Sequence, residues 1–253
     1  MSDSGEDWGD YDNSDYEDNY ENDDYYDYSL NIIDEYTEMY DNIEKNFMKP
    51  IKFADLPEVK KVFNKDNVNI TNREGVSALM IAILYSSSEV VDYLINDCKA
   101  DINYLNENDD NLFHILSDRG DNKDISFIFN ILISKNIDIN HINNDGHTPL
   151  SLITYYYWIN NDILIKLYLQ NGADPNILIQ EDEGWTQLMS FIKEYNLKMF
   201  ELLIKYGADL THRDKYGTTP RILILTLIEQ SICDGEKSIW GDMLQIIDNK
   251  LSS

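Results

Sequence analysis

The side chains that could do chemistry in this 253-residue chain are four histidines, two cysteines and 47 carboxylates. A metal site needs three or four Cys, His or carboxylate ligands at short spacings. Of His114, His141, His147 and His212 only His141 and His147 are near each other, and no Cys or Glu spacing completes a site around them. Those two flank a turn and are expected to be solvated. Cys98 and Cys233 are too few for a disulfide framework, which points to a reduced intracellular compartment, cytoplasmic or nuclear. No Gly-rich phosphate loop, nucleophile elbow or kinase signature is present. In so acidic a chain, pairs of Asp and Glu carry no information. No catalytic residue, metal or cofactor is expected.

The acid is unevenly spread. Residues 1–45 hold 17 Asp/Glu against one Lys, and the rest holds 30 against 19 basic residues. Direct nucleic-acid binding needs clustered Lys/Arg, and so does an anionic membrane surface; both are excluded as partners. The N-terminus has no basic and apolar leader. The apolar run Ile222–Ile228 is far short of the roughly 18 residues of a membrane span. Residues 1–29 contain no aliphatic side chain after Met1, so they cannot offset the entropy of ordering and are expected to form an acidic disordered tail. Leu30, Ile33, Tyr36, Tyr40, Ile43 and Phe47 then recur at helical steps. They predict an amphipathic helix over 30–49, docked as a cap.

The remaining residues repeat. "GADLT" at Gly207 matches "GADPN" at Gly172, with weaker copies "KADIN" at Lys99 and "NIDIN" at Asn136. A second signal follows most of these: "EGVSAL" from Glu74, "DGHTPL" from Asp145, "EGWTQL" from Glu183 and "YGTTPR" from Tyr216. Ser77, Thr148, Thr186 and Thr218 each precede an apolar run, as N-caps do. Pro149 suits a first helical position. Gly207 suits the left-handed residue after a helix. Each unit therefore reads as two antiparallel helices and an extended turn, and neighbouring units must stack to bury their apolar faces.

This pattern resembles the ankyrin repeat, whose unit reads roughly D-G-x-T-P-L-H-x-A and then G-A-D-x-N. The resemblance implies an all-α, ankyrin-like helical solenoid. Units are read at about 72–106, 107–142, 143–180 and 181–213, with degenerate terminal caps at 50–71 and 214–253, so that 50–253 is one repeat domain. Units two and three carry extra residues between their helices. His114 falls on the family's T-P-L-H histidine, which implies a structural imidazole bonded to backbone.

The resemblance also implies a non-catalytic protein–protein interaction module that uses a concave face and turn tips. Candidate partner contacts are Asn72, Arg73, Glu74, Asn108, Asp109, Asn144, Asp145, Glu181, Glu183, Trp185, Arg213 and Tyr216. These tips read as mainly acidic and amide-bearing, which suits a basic or mixed-charge protein surface. Trp185 is the preferred anchor, with packing on the next turn as its alternative role. Two other functions stand beside this one. A ubiquitin-ligase substrate adaptor would need a C-terminal F-box-like segment, and "ICDGEKSIWGDMLQIIDNKLSS" does not resemble one. An acidic mimic would bind basic proteins through residues 1–29.

Overall fold

The computed structural model describes residues 39–53, 55–119, 123–155, 162–179 and 184–252. The acidic stretch 1–29 and the first part of the expected 30–49 helix lie outside them. Tyr40–Ser253 form one compact unit.

Two kinds of apolar run alternate along this unit. In α3 (Ala78–Tyr85) every residue from Ala78 to Ile83 is buried. A helix apolar on all sides must be covered on all sides. In α10 (Leu197–Lys205) only Met199, Phe200 and Leu203 are buried, and one face stays polar. The same alternation runs through α4 (Ser88–Asp92), α5 (Leu112–Ser117), α6 (Ile125–Ile133), α7 (Pro149–Tyr155), α8 (Asp162–Gln170) and α9 (Gln187–Lys193). The end helices of the inner row, α1 (Lys49–Phe53) and α11 (Pro220–Gln230), bury one face only, and α2 (Leu56–Val62) and α12 (Asp234–Leu251) end the outer row. Each odd-numbered helix packs on the next odd-numbered one, and each even-numbered helix on the next even-numbered one. The result is an all-α, ankyrin-like solenoid with an inner and an outer row of helices around one continuous core from Met48 to Ile247.

The expected boundary between residues 49 and 50 falls inside a helix. A π-helical stretch, Glu44–Met48, runs directly into α1, and Met48 and Ile51 are both fully buried. Its apolar face is used as an inner-row face, so 44–53 is part of the stack. At the other end α11 and α12 form a further stacked pair, with Trp240, Met243 and Ile247 of α12 in the core.

The helix starts follow the sequence pattern with two corrections. Ser77 accepts the Met80 N–H at 3.3 Å, and Thr148 accepts that of Ser151 at 3.3 Å. At α11 the cap is Thr219, which accepts the Ile222 N–H at 3.3 Å, and not Thr218. The one-residue shift brings Pro220 into the first turn, where its missing N–H costs nothing. Thr186 precedes α9, but its buried hydroxyl has no hydrogen-bond partner among the described residues.

Four outer helices are followed by a left-handed residue, and in three of them the next residue is an Ala whose N–H returns to the helix. Ala100 donates to the Leu94 carbonyl at 2.9 Å, Ala173 to Tyr168 at 3.0 Å and Ala208 to Leu203 at 3.0 Å. Gly172 and Gly207 hold this position at φ of 91° and 92°, but Lys99 and Asn136 hold it at 63° and 58°. The asparagines that follow tie unit to unit. Asn69 Oδ1 accepts the Asp101 N–H at 2.8 Å, Asn140 Oδ1 that of Asp174 at 2.8 Å, and Asn176 Oδ1 that of Asp209 at 2.7 Å.

Buried polar groups fill the joints between units. Arg119, only 2% exposed, donates from Nη1 to the carbonyls of Ile83 at 2.6 Å and Ser86 at 3.0 Å, at the end of α3. A cation at a helix C-terminus also meets the negative end of the helix dipole. The Tyr168 hydroxyl donates to the Phe113 carbonyl at 2.7 Å and meets Ser117 Oγ at 2.9 Å. Burial keeps that phenol protonated far above its ordinary range.

The left-handed position yields opposite outcomes at two sites. A left-handed conformation costs a residue with a Cβ roughly 1–2 kcal/mol. Lys99→Gly removes that cost and should raise the urea-unfolding free energy by about 1 kcal/mol. Gly207→Ala, where an added Cβ meets no atom within 4 Å, should lower it by about the same amount through the backbone alone.

Candidate functional site

The turns between outer and inner helices are built on one side chain each. Asn72 Oδ1 accepts the N–H groups of Glu74 at 3.0 Å and Val76 at 2.9 Å. Asn106 does the same for Asn108 and Asp110, Asn143 for Asp145 and His147, and Asp214 for Tyr216 and Thr218. The fourth residue of each tip is left-handed: Gly75, Asp109, Gly146 and Gly217. This is the Asx-turn solution to a loop whose backbone donors face no strand. At Asp214 desolvation acts in the opposite sense, but the N–H groups of Thr218 and Tyr216 and the Thr218 and Trp185 side chains hold its carboxyl below the usual range. The lengthened fourth turn instead carries a short antiparallel pair, β1 (Leu178–Ile179) with β2 (Trp185–Thr186).

The tips are also tied to one another. The Asn144 N–H donates to the Asn108 carbonyl at 2.9 Å, and Asn108 Nδ2 donates to Asp145 Oδ2 at 2.8 Å. One aromatic side chain per turn reaches back to the left-handed residue of the preceding tip. Tyr104 donates to the Gly75 carbonyl at 2.8 Å, His141 Nε2 meets the Asp109 carbonyl at 2.9 Å, and His212 Nε2 meets that of Gly184 at 2.8 Å.

His141 and His147 are therefore not solvated. His141 is fixed on Asp109, and His147 is buried. The His147 carbonyl meets Nε2 of His114 at 3.1 Å, while the Asn111 N–H donates to His114 Nδ1 at 3.3 Å. His114 is a structural imidazole, as its position in the motif implied. Burial pushes its pKa below the ordinary histidine value, outweighing the His147 bond and the Asp110 charge that favour the cation.

The candidate contacts divide accordingly. Arg73, Glu74, Asn144, Asp145, Arg213 and Tyr216 are exposed. Asn72 is the Asx residue of its tip. Asn108 is bonded to the next tip, and Asp109 holds the left-handed position. Glu181 and Glu183 lie outside the described residues. Trp185 is half-buried, with its indole N–H on Asp214 Oδ2 at 3.2 Å and the Lys193 ammonium 5.2 Å from its ring centre. The described tips are mixed in charge, since Arg73, Arg213 and Lys215 stand beside Glu74, Glu107 and Asp145.

The inner helices add a row of residues that the motifs did not single out. Four residues after each N-cap stand Ile81, Ile115, Leu152, Ser190 and Leu223, each 6–9% exposed. The residues two after each cap in α3, α5, α7 and α9 are 0–1% exposed. The first position thus keeps a trace of exposure while the second is core. Ile81 opens into a hollow of about 340 Å³ bounded by Glu44, Lys52, Asn72, Glu74 and Tyr85. The Lys52 ammonium lies 4.1 Å from the centre of the half-exposed Tyr85 ring. Counting four residues from the caps would have found this row in the sequence.

Among the described residues no group of His, Cys, Asp and Glu could hold a metal ion, and no helix is long and apolar enough to cross a membrane. Residues 74–103 match the ankyrin repeat family. An ankyrin repeat protein of Acanthamoeba polyphaga mimivirus is 28% identical over 180 residues, covering 67% of this chain and 22% of that protein. An ankyrin repeat protein of fowlpox virus is 33% identical over 136 residues, covering 52% of this chain and 22% of that protein. The chain thus spans about a fifth of the length of these relatives. Among solved structures, the ankyrin repeat domain of Bcl-3 superposes with a TM-score of 0.59 at 18% identity, over 73% of this chain and 85% of that one. A chain from a complex of a Bdellovibrio bacteriovorus predatory endopeptidase with its immunity protein gives 0.57 at 19% identity, over 81% and 98%. At these identities the likeness is one of fold. The family match rests on residues 74–103, and the superpositions show an ankyrin-like fold over most of the chain.

Two measurements test the tip and the imidazole. Asn72→Ala removes an acceptor of two N–H groups and should cost about 1–3 kcal/mol in chemical unfolding, at about 0.5–1.5 kcal/mol per bond, whereas Asn72→Asp keeps both bonds and most of the stability. A histidine with a lowered pKa in the fold favours folding above its unfolded pKa of about 6.5, and that contribution is lost as pH falls through the folded value. The unfolding midpoint should therefore drop on acidification below about pH 6.5. His114→Gln should show a shallower drop over that range.

Proposed function

We propose that this chain is a protein-binding module that takes its partner along the concave face, with the apolar row as floor and the exposed tips as rim. One observation carries the reading: Ile81, Ile115, Leu152 and Leu223 recur at one helical position and, although buried, keep 8–9% exposure where Leu79, Phe113 and Leu150 keep 0–1%. The position is apolar in four of the five inner helices from α3 to α11, with Ser190 the exception, so it offers mainly apolar contact framed by charge. That is the anatomy of a protein interface, with an apolar centre and a polar rim. The partner it fits presents aliphatic or aromatic side chains with charges of both signs around them. Tyr85 and Tyr216 are the rim anchors, being large, exposed and amphipathic. Arg73, Glu74, Asn144, Asp145 and Arg213, all exposed, frame them. Trp185 supports the rim through Asp214.

A second reading places binding in the N-terminal tail, where 17 carboxylates face one lysine over residues 1–45. Capture of partners from a lysate by three proteins separates the two: the full chain, the chain lacking residues 1–29, and the double substitution Tyr85→Ala with Tyr216→Ala. The concave reading expects capture to survive the deletion and affinity for the captured protein to fall at least tenfold, about 1.4 kcal/mol, in the double variant. Loss of capture on deletion, with the double variant unaffected, would establish the tail instead. Recovery of a ligase subunit would favour the adaptor role.

A further inference from the structure

The outer row carries a groove that the concave reading leaves unused. It encloses about 610 Å³ and runs along α4 and the π-helical turn after it, Tyr93–Asp97, between α2 and α6. Leu56, Tyr93, Phe127 and Ile131 form its apolar lining. Phe127 stands out, since outer helices otherwise keep their aromatic rings inward. On α6, Ile125, Ile128, Phe129 and Leu132 are buried, yet Phe127 is 69% exposed. Phe127 and Ile131 are one turn apart and share a face.

Charge frames this lining on one side. Glu89, Asp92 and Asp97 border the groove. Among the described residues none of the three carboxylates has a Lys or Arg within ion-pair distance. Asp92 accepts only the Asn96 amide at 2.7 Å, and Glu89 the Ser87 hydroxyl at 3.1 Å. The one cation in the lining, Lys60, has its ammonium 5.2 Å from the centre of the Tyr93 ring. Lys99 and Lys135 bond the Asn96 carbonyl and side chain at 2.6 and 2.7 Å, next to Asp92 and Asp97. The groove thus offers an apolar strip beside three carboxylates that no ion pair engages among the described residues.

We propose that this groove is a second protein-docking surface, and that its occupant is a partner segment bearing an apolar side chain flanked by Lys or Arg. The apolar group covers Phe127 and Ile131, which removes exposed hydrocarbon from water. The flanking cations meet Glu89, Asp92 and Asp97, and that complementarity fixes the register and rejects acidic segments. The surface uses the opposite side of the helix pairs from the concave floor, so it stands or falls separately from the concave reading.

The test is methyl and amide NMR on the full chain, titrated with three short synthetic peptides: one with Leu and Lys at helical spacing, one with Lys and Ser at equal charge, and one with Leu and Glu. The Leu–Lys peptide should shift signals of Ile128, Ile131 and Tyr93. Its affinity should fall at least tenfold in Phe127→Ser, and also in Asp92→Asn with Asp97→Asn. Tyr85→Ala with Tyr216→Ala should leave it unchanged. All substituted side chains are exposed or at the groove edge, and thermal melts confirm that the variants fold. The proposal is overturned by equal binding of the Lys–Ser peptide, by shifts confined to the tail or the concave face, by unchanged affinity in Phe127→Ser, or by no binding at all.

Discussion

An inner helix that is apolar on every side leaves its last carbonyls without a partner unless a neighbouring unit supplies one. In this stack the neighbour does. Ser86 donates to the Ile51 carbonyl at the end of α1, Arg119 to Ile83 near the end of α3, and Trp240 to Ile192 near the end of α9. Each donor belongs to the following unit. A unit isolated from its neighbour would lose apolar cover and leave these carbonyls to water. Stability is therefore a property of the joints, as expected for a quasi-one-dimensional solenoid.

The tips follow from the same constraint. Once the inner helices are close-packed, the connecting turns project beyond the core and must satisfy their own backbone. The Asn or Asp at the start of each tip does so locally, and Asn69, Asn140 and Asn176 do so between units. The turns are then rigid enough to serve as a rim, although few of their residues are apolar. This also explains why candidate contacts cannot be chosen by exposure of the turn alone. Asn72 and Asn108 sit in the tips, but their amides are part of the scaffold.

Much of this fold was legible in the sequence because glycine, proline and hydroxyl residues report local backbone needs. Gly172, Gly207 and Pro149 stand where their conformational preferences put them. The misreadings share a cause: at those positions a longer-range partner decided the outcome. Thr218 and Thr219 are equally good caps by type, and the Thr218 N–H bond to Asp214 settles which one serves. Lys99 and Asn136 occupy left-handed positions that glycine would fill more easily, so their units carried weaker signals. His147 reads as a turn residue, yet its carbonyl is the partner of His114 one unit away. For the surface, the charged tips were visible in composition, whereas the apolar row emerges only when caps are aligned from unit to unit.

The α3/α4 pair carries both faces of the stack. Ile81 and Tyr85 on α3 line the smaller hollow, and Glu89 and Asp92 on α4 border the outer-row groove. Between them lie Leu79, Ile83, Val90 and Leu94, all at most 1% exposed. Packing of that density does not deform continuously, so a ligand on one face has no soft path for reshaping the other. What both faces share is the stability of the pair itself. Its outer helix passes through a π-helical turn and closes on the left-handed Lys99, two features that weaken it locally. A partner on either face that bound only the folded pair would stabilise it by mass action, so any coupling between the two proposed faces would be one of stability and not of shape.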